Sequence, residues 1–375
     1  MKKVIQVLKP QFRTEEVLSE IRECLEIGWT GMGYKTEVFE EEWKKYTGFK
    51  YAHFLNSATS GLHLGVNLLK ASHGWHDGDE IITTALTFVS TNHAILYENL
   101  TPVFADVDAS LCLDPSSVLA AITPRTRAVM YVGMGGNVAN YQEIRQICTD
   151  YNLCFILDAA HMAGTKWAHT LEQVGLDADC AVFSFQAVKN LLSADAGMIC
   201  FKDELLDARA RKMSWLGIDK STYQRYSPSS YVWRYDVTDV GFKYHGNSIM
   251  ASICLVSLKY LDVDNEHRRM LATQYDELLQ GSVHIKTIPY NDDVVPSRHL
   301  YQIVVEHRDA LLEKLTSQNI FCGVHYIDNS TYPIYSDCKN HAINARYLSD
   351  RLLSLPLHLG VSIEDVDNIV NAINH

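Results

Sequence analysis

From residue 51 to about residue 200, short apolar runs alternate with longer stretches whose apolar residues recur every three or four positions. The runs YAHFLN, DEIITTA, TPVFADV, RAVMYVG, CFILDA, CAVFSF and GMICF have the length of strands and are rich in Val, Ile, Phe and Tyr. Between them SGLHLGVNLLKA, VSTNHAILYEN and YQEIRQICTDY read as helices. Upstream, an amphipathic helix is expected near residues 14 to 27, then the glycine-bearing loop GWTGMGYKT and a second helix through VFEEEWKKYTG. Alternation of this kind predicts an α/β fold with a mostly parallel sheet flanked by helices on both faces. Ligands of such sheets bind at the carboxyl ends of the strands, where the connecting loops converge.

Residues 204 to 245 are rich in aromatics, Arg and Lys and have no clean period, and read as a long excursion over a site. The stretch SIMASICLVSLKYLDVDNEHRRMLATQYDELL then reads as one long helix, and strands and helices alternate again to the end. The expected organisation is a large domain, 1–250, and a smaller C-terminal α/β domain, 251–375. There is no internal repeat or low-complexity linker.

Composition narrows the functional classes. A length of 375 residues with 47% hydrophobic and 21% charged residues is that of a compact soluble enzyme. The net charge of -12 argues against a nucleic-acid polymer as partner, since that work needs a basic surface. No stretch reaches the roughly 18 to 20 apolar residues of a membrane span, and the start, MKKVIQVLKPQF, lacks the apolar region of a signal peptide. Nine scattered cysteines with no CxxC pair read as reduced, buried and intracellular, so a cytoplasmic protein without a metal site is expected.

The candidate chemistry lies in three loops, each following a predicted strand. In FLNSATSGLHLG a strand runs into Ser57, Ala58 and Thr59 at the opening of a helix, where small residues let backbone N–H groups approach an anion. Alone, Ser57 or Thr59 reads more readily as a helix cap than as a ligand. In FILDAAHMAG, Asp158 ends an apolar strand and is followed by small residues and His161. A carboxylate so placed needs a partner, because unpaired burial is costly. A protonated pyridine nitrogen would serve, and so would the N-terminus of a following helix. In AVFSFQAVKNLLSADAGMICF, Ser184 and then Lys189 sit in an otherwise apolar setting. A buried amine has a lowered pKa, which suits a nucleophile and proton carrier; a lysine snorkelling from a helix is the alternative.

Taken together, NSATSGLH, TTALTFVST, LDAAHMAGT, FSFQAVKN and GFKYHGNSIMAS resemble the DegT/DnrJ/EryC1/StrS family of sugar aminotransferases in order and spacing, from about residue 28 to 265 and more weakly to the end. The resemblance implies the fold of aspartate aminotransferase, which is fold type I of the enzymes that use pyridoxal 5'-phosphate. It also implies a homodimer with sites near the subunit interface. The implied reaction carries an amino group from an amino acid, L-glutamate on family grounds, to a 3-keto or 4-keto nucleotide-linked sugar. Lys189 then matches the lysine that forms the Schiff base with the cofactor, Asp158 the partner of the pyridine nitrogen, and His161 the residue beside the ring. Ser184 with Ser57, Ala58 and Thr59 matches the phosphate cradle, and Phe88 the aromatic that stacks on the ring.

Two motifs depart from the family pattern. Relatives carry GYKYN, whose Asn reaches the neighbouring subunit's cofactor phosphate; here GFKYHGN places His245 at that position and Asn247 two further on. The usual HxxG after the fourth strand is replaced by GMGGN, which leaves Asn137. Near the C-terminus GVHYIDNSTY resembles a substrate-side loop and makes His325 and Tyr326 candidates for contact with sugar or donor. Two other functions share the fold: a sugar dehydratase, in which a histidine replaces the lysine, and a regulatory protein that binds the cofactor without turnover. A nicotinamide enzyme has only GMGGN in its favour, and that string is not GxGxxG.

Overall fold

The structure is a computed structural model and describes residues 3–219, 226–227, 230–231 and 234–374. All seven apolar runs become strands of one sheet: β1 Tyr51–Leu55, β2 Glu80–Thr84, β3 Thr101–Ala105, β4 Thr126–Val132, β5 Cys154–Asp158, β6 Cys180–Ser184 and β7 Gly197–Phe201. Their order is β1-β7-β6-β5-β4-β2-β3. Only β7 runs against its neighbours, pairing antiparallel with both β1 and β6. Every residue of β2, β5, β6 and β7 is buried, which is why these strands read as continuous apolar runs and not as alternating ones.

Helices cover both faces. One is packed by α2 Tyr34–Thr47 and α6 Tyr141–Asp150, with Phe39, Trp43, Phe54, Phe183 and Phe185 forming an aromatic cluster, while α1 Thr14–Ile27 lies against the long helix Ser248–Leu279. The other carries α3 Ala58–His73, α4 Val89–Leu96 and α7 Glu204–Met213; a short α5, Pro115–Ala121, joins β3 to β4. Helix α8, Ser248–Leu279, spans two cores: Ala251, Cys254 and Leu261 pack on the large sheet, and Leu271, Ala272, Tyr275 and Leu279 on a second cluster. That cluster lies on an antiparallel sheet of β8 Ile285–Thr287, β9 Tyr301–Val305 and β10 Leu352–Leu355. It is closed by α9 Arg308–Ser317 and α11 Ile363–Asn374, with α10 Ile343–Ser349 preceding β10. Ile5 joins this second core by pairing with Ile320.

Part of the region read as an aperiodic excursion is regular. Asp203 caps α7 through the amides of Leu205 and Leu206, and Leu206, Ala210 and Met213 turn inward at helical spacing. Residues 220–225, 228–229 and 232–233 of that region lie outside the described residues, and with them part of the expected excursion over a site. The nine cysteines are free thiols, seven buried and Cys322 and Cys338 half-buried. Among the described residues, no helix is long and apolar enough to cross a membrane.

Candidate active site

The loops after β1, β5 and β6 leave the same edge of the sheet, and there they line a cavity of about 450 Å³. Ser57, Ala58, Thr59, Phe88, Asp158, His161, Ser184, Lys189, His325 and Tyr326 all reach it. Ser57 caps α3, its Oγ accepting from the Ser60 amide at 3.1 Å. The amides of Ala58 and Thr59 stand at the first turn with no intrahelical acceptor, at the positive end of a four-turn helix. Ser57 is thus the cap of α3, and the amides beside it are open to the cavity. Gly197 of β7 makes this approach possible: a Cβ there would lie 2.6 Å from the Ser57 carbonyl carbon and the Ala58 nitrogen.

Asp158 ends β5 with 4% exposure. Its Oδ2 accepts from the Thr91 hydroxyl at 2.8 Å and its Oδ1 from the Ala160 amide at 3.1 Å. Burial nevertheless raises its pKa above the ordinary carboxylate value, against the pull of Thr91, Ala160 and Lys189. A buried carboxylate in that state is matched to a cationic partner. Lys189 stands on the loop between the antiparallel pair β6 and β7, its amide donating to Gln186 O. Burial brings its amine down from 10.5 to about 8, opposed only by Asp158. The amine is therefore neither a solvated surface charge nor inert at neutral pH.

His161 is neutral at ordinary pH, held well below its usual range by burial, with Lys189 and His325 adding to it. The Gly135 amide donates to its Nδ1 at 3.2 Å, so the ring proton sits on Nε2, 3.3 Å from the Tyr326 hydroxyl. His325 accepts or donates at Nδ1 with Ser354 Oγ, 2.9 Å away, and burial takes it to about 4. Phe88 lies at the rim, 56% exposed, with its ring 5.8 Å from that of Tyr326.

His245 and Asn247 are not in this cavity. Asn247 caps α8, its Oδ1 accepting from the Met250 amide at 2.9 Å. His245 lines a separate hollow with Trp215, Lys243 and residues 28–32. Its Nδ1 meets the Gly246 carbonyl at 2.7 Å, and its buried Nε2 has no partner among the described residues. Asn137 is structural, its amide donating to the carbonyls of Ser110 and Pro289.

Beyond the expected set, two groups bear on the site: Thr91, fully buried and bonded to Asp158, and His299, which lines the cavity. Thr91 lies in the LTFVST string, and its place three positions after Phe88 is the helical spacing that points to it. His299, 1% exposed and 3.5 Å from Lys189 Nζ, comes from the segment before β9 and has no local signal. The assembled donors fit a phosphorylated pyridine: hydroxyls and free helix amides at one end, a buried carboxylate at the other, and an amine of lowered pKa between them.

Comparison with known proteins agrees with this geometry. The model of the DegT/DnrJ/EryC1/StrS aminotransferase family matches residues 11–374. The spore coat polysaccharide biosynthesis protein SpsC of Bacillus subtilis is 35% identical over 371 residues, covering 96% of this chain and 94% of SpsC. PseC of Helicobacter pylori, an aminotransferase involved in the biosynthesis of pseudoaminic acid, superposes with a TM-score of 0.90 at 26% identity, covering 99% of this chain and 98% of PseC. Spr1654 of Streptococcus pneumoniae, solved in PLP and PMP forms, gives in its PMP form a TM-score of 0.88 at 27% identity, over 99% of this chain and 97% of that one. The chain belongs to the DegT/DnrJ/EryC1/StrS aminotransferase family, has the fold of those enzymes, and takes pyridoxal 5'-phosphate as its cofactor.

Proposed function

We propose that this protein transfers an amino group from L-glutamate to the keto carbon of a 3-keto or 4-keto nucleotide-linked sugar, in the making of a surface polysaccharide or glycoside. The observation that carries the reading is the lysine of lowered pKa sharing one cavity with a buried carboxylate and an open helix N-terminus. Bound pyridoxal phosphate supplies the carbonyl that carries nitrogen between substrates and an electron sink for the carbon undergoing proton exchange.

The chain's own groups do the rest. The Ala58 and Thr59 amides with Ser57 and Ser184 hold the phosphate. Asp158 would pair with the ring nitrogen and keep it protonated, which would offset the cost that burial puts on the ionised carboxylate. Lys189 would hold the cofactor through its amine, and once free that amine would carry the proton of the donor's amino-bearing carbon. Phe88 at the rim would cover the ring, and His161, neutral, orients the Tyr326 hydroxyl. His325 and Tyr326 face the substrate side.

The protein acts as a cytoplasmic homodimer in this reading, in keeping with its free thiols and with Leu18, Leu25 and Val38 exposed on α1 and α2.

The test is a panel of 3-keto and 4-keto nucleotide sugars given to the yellow holoenzyme with L-glutamate, with products read by mass spectrometry. An amino sugar, together with bleaching of the visible band by glutamate alone, is expected. A product that has lost water without gaining nitrogen, no amine from any sugar, or a Lys189→Ala variant with the native rate refutes the reading.

A further inference from the structure

The protonation of His299 follows from a chain of fixed groups. Asn265 Nδ2 donates to the Ala163 carbonyl at 3.0 Å, so its Oδ1 faces away and accepts from Asn190 Nδ2 at 2.7 Å. Asn190 Nδ2 also donates to the Ser297 carbonyl at 2.7 Å. Both amide hydrogens of Asn190 are committed, and only its Oδ1 remains for His299 Nδ1, 2.9 Å away. Neutral His299 must carry its proton on Nδ1. The lone pair on Nε2 then faces Lys189 Nζ at 3.5 Å.

The arrangement is built into the fold. Gly164 takes φ +82°, and a Cβ there would come within 2.5 Å of Asn265 Nδ2, so the relay depends on this glycine. The His161 ring lies 4.4 Å from that of His299, tilted by 39°, but has the opposite tautomer, because a backbone amide holds its Nδ1. Of the two neighbouring rings, only His299 offers the amine an acceptor. Burial keeps His299 well below its usual range, with Lys189, His161, Arg268 and His325 adding to the effect. Asp158 is the opposing charge on the amine.

We infer that His299 is a positioning residue: locked by Asn190, it holds one hydrogen of the Lys189 amine through Nε2 and so turns the lone pair of Nζ toward the cavity. The proton moves between Nζ and the donor's α-carbon, and His299 neither gains nor loses one. The inference rests on the proposed role of Lys189 as proton carrier.

The experiment measures the glutamate half-reaction of holoenzyme variants, with L-glutamate carrying hydrogen or deuterium at the α-carbon. His299→Phe should slow it roughly 10- to 100-fold, the usual result of a misplaced reacting group. The KM for glutamate should stay within about twofold and the isotope effect should rise, because proton transfer alone is impaired. His299→Gln, which restores an acceptor near the Nε2 position, should recover most of the rate. Asn190→Leu, which frees the tautomer but leaves the ring, should show a smaller loss with the same isotope signature. Melting curves verify that each variant is folded. A wild-type rate and isotope effect in His299→Phe, a loss expressed wholly in KM, or His299→Gln no better than His299→Phe overturns the inference. Sodium borohydride, which locks the cofactor to its lysine, tests the underlying reading separately: an adduct mapped to a lysine other than Lys189 removes both.

Discussion

Replacing Lys189 by Met should abolish amino transfer and make the cofactor-free protein more stable. The amine titrates at about 8 where an unfolded lysine titrates near 10.5, so folding disfavours its protonated form. At about 1.4 kcal/mol per pH unit, that difference costs ~3 kcal/mol at neutral pH. Two effects reduce what methionine recovers. The side chain of Lys189 is partly open to the cavity, where water screens the charge. Losing the cation also removes part of what favours ionised Asp158. The expected gain is about 1 to 3 kcal/mol, or ~2–6 °C in Tm. The sign can be checked against pH. Between 8 and 10.5 the unfolded chain binds more protons at this residue than the folded one, so wild-type stability rises through that window. The advantage of Lys189→Met should therefore be full below 8 and vanish above 10.5. Paired thermal melts of stripped wild type and variant across this range give the difference directly. A variant no more stable than wild type at pH 7, or a gain that persists undiminished above 10.5, refutes the reasoning.

Three further outcomes are expected around the cradle and the carboxylate. Thr91→Val keeps the shape but deletes the donor to Asp158 Oδ2, and should weaken cofactor binding about 10- to 100-fold in a fluorescence titration of stripped protein; unchanged affinity would show that the hydroxyl is not needed. Ser57→Ala removes the α3 cap, so melts should show a loss of about 1 kcal/mol, and the cofactor should leave faster on dialysis. Gly197→Ala drives a methyl against the Ser57 and Ala58 backbone, which cannot yield as a side chain would. Tm and bound cofactor should fall together, by about 1 to 3 kcal/mol in stability, and a variant that keeps both would remove the close approach from the account.

What could be read along the chain and what could not divide by the range of the interaction. The central strands are legible because burial on both faces demands unbroken apolar runs, and Ser57, Asp158 and Lys189 because each interrupts such a run where a parallel sheet opens its binding edge. His299 stands 110 residues beyond Lys189, in a segment feeding a different sheet, and no local period encodes that meeting. Asn190 was in plain view beside Lys189, yet its role appears only when Asn265 on α8 and the Ser297 carbonyl show where its amide points. Asn247 is the converse case: its motif offset offers it to the partner's phosphate, while a long helix needs an acceptor for its first amides and finds one in the Asn247 Oδ1. Residues 204–213 were obscured differently, since the weak apolar period of α7 was averaged with the aromatic stretch that follows. The reacting groups are thus announced by local breaks in the apolar pattern. The groups that orient them depend on side-chain amides pinned by distant backbone carbonyls, and the relay from Ala163 through Asn265 and Asn190 to His299 is the place where variants should separate orientation from chemistry.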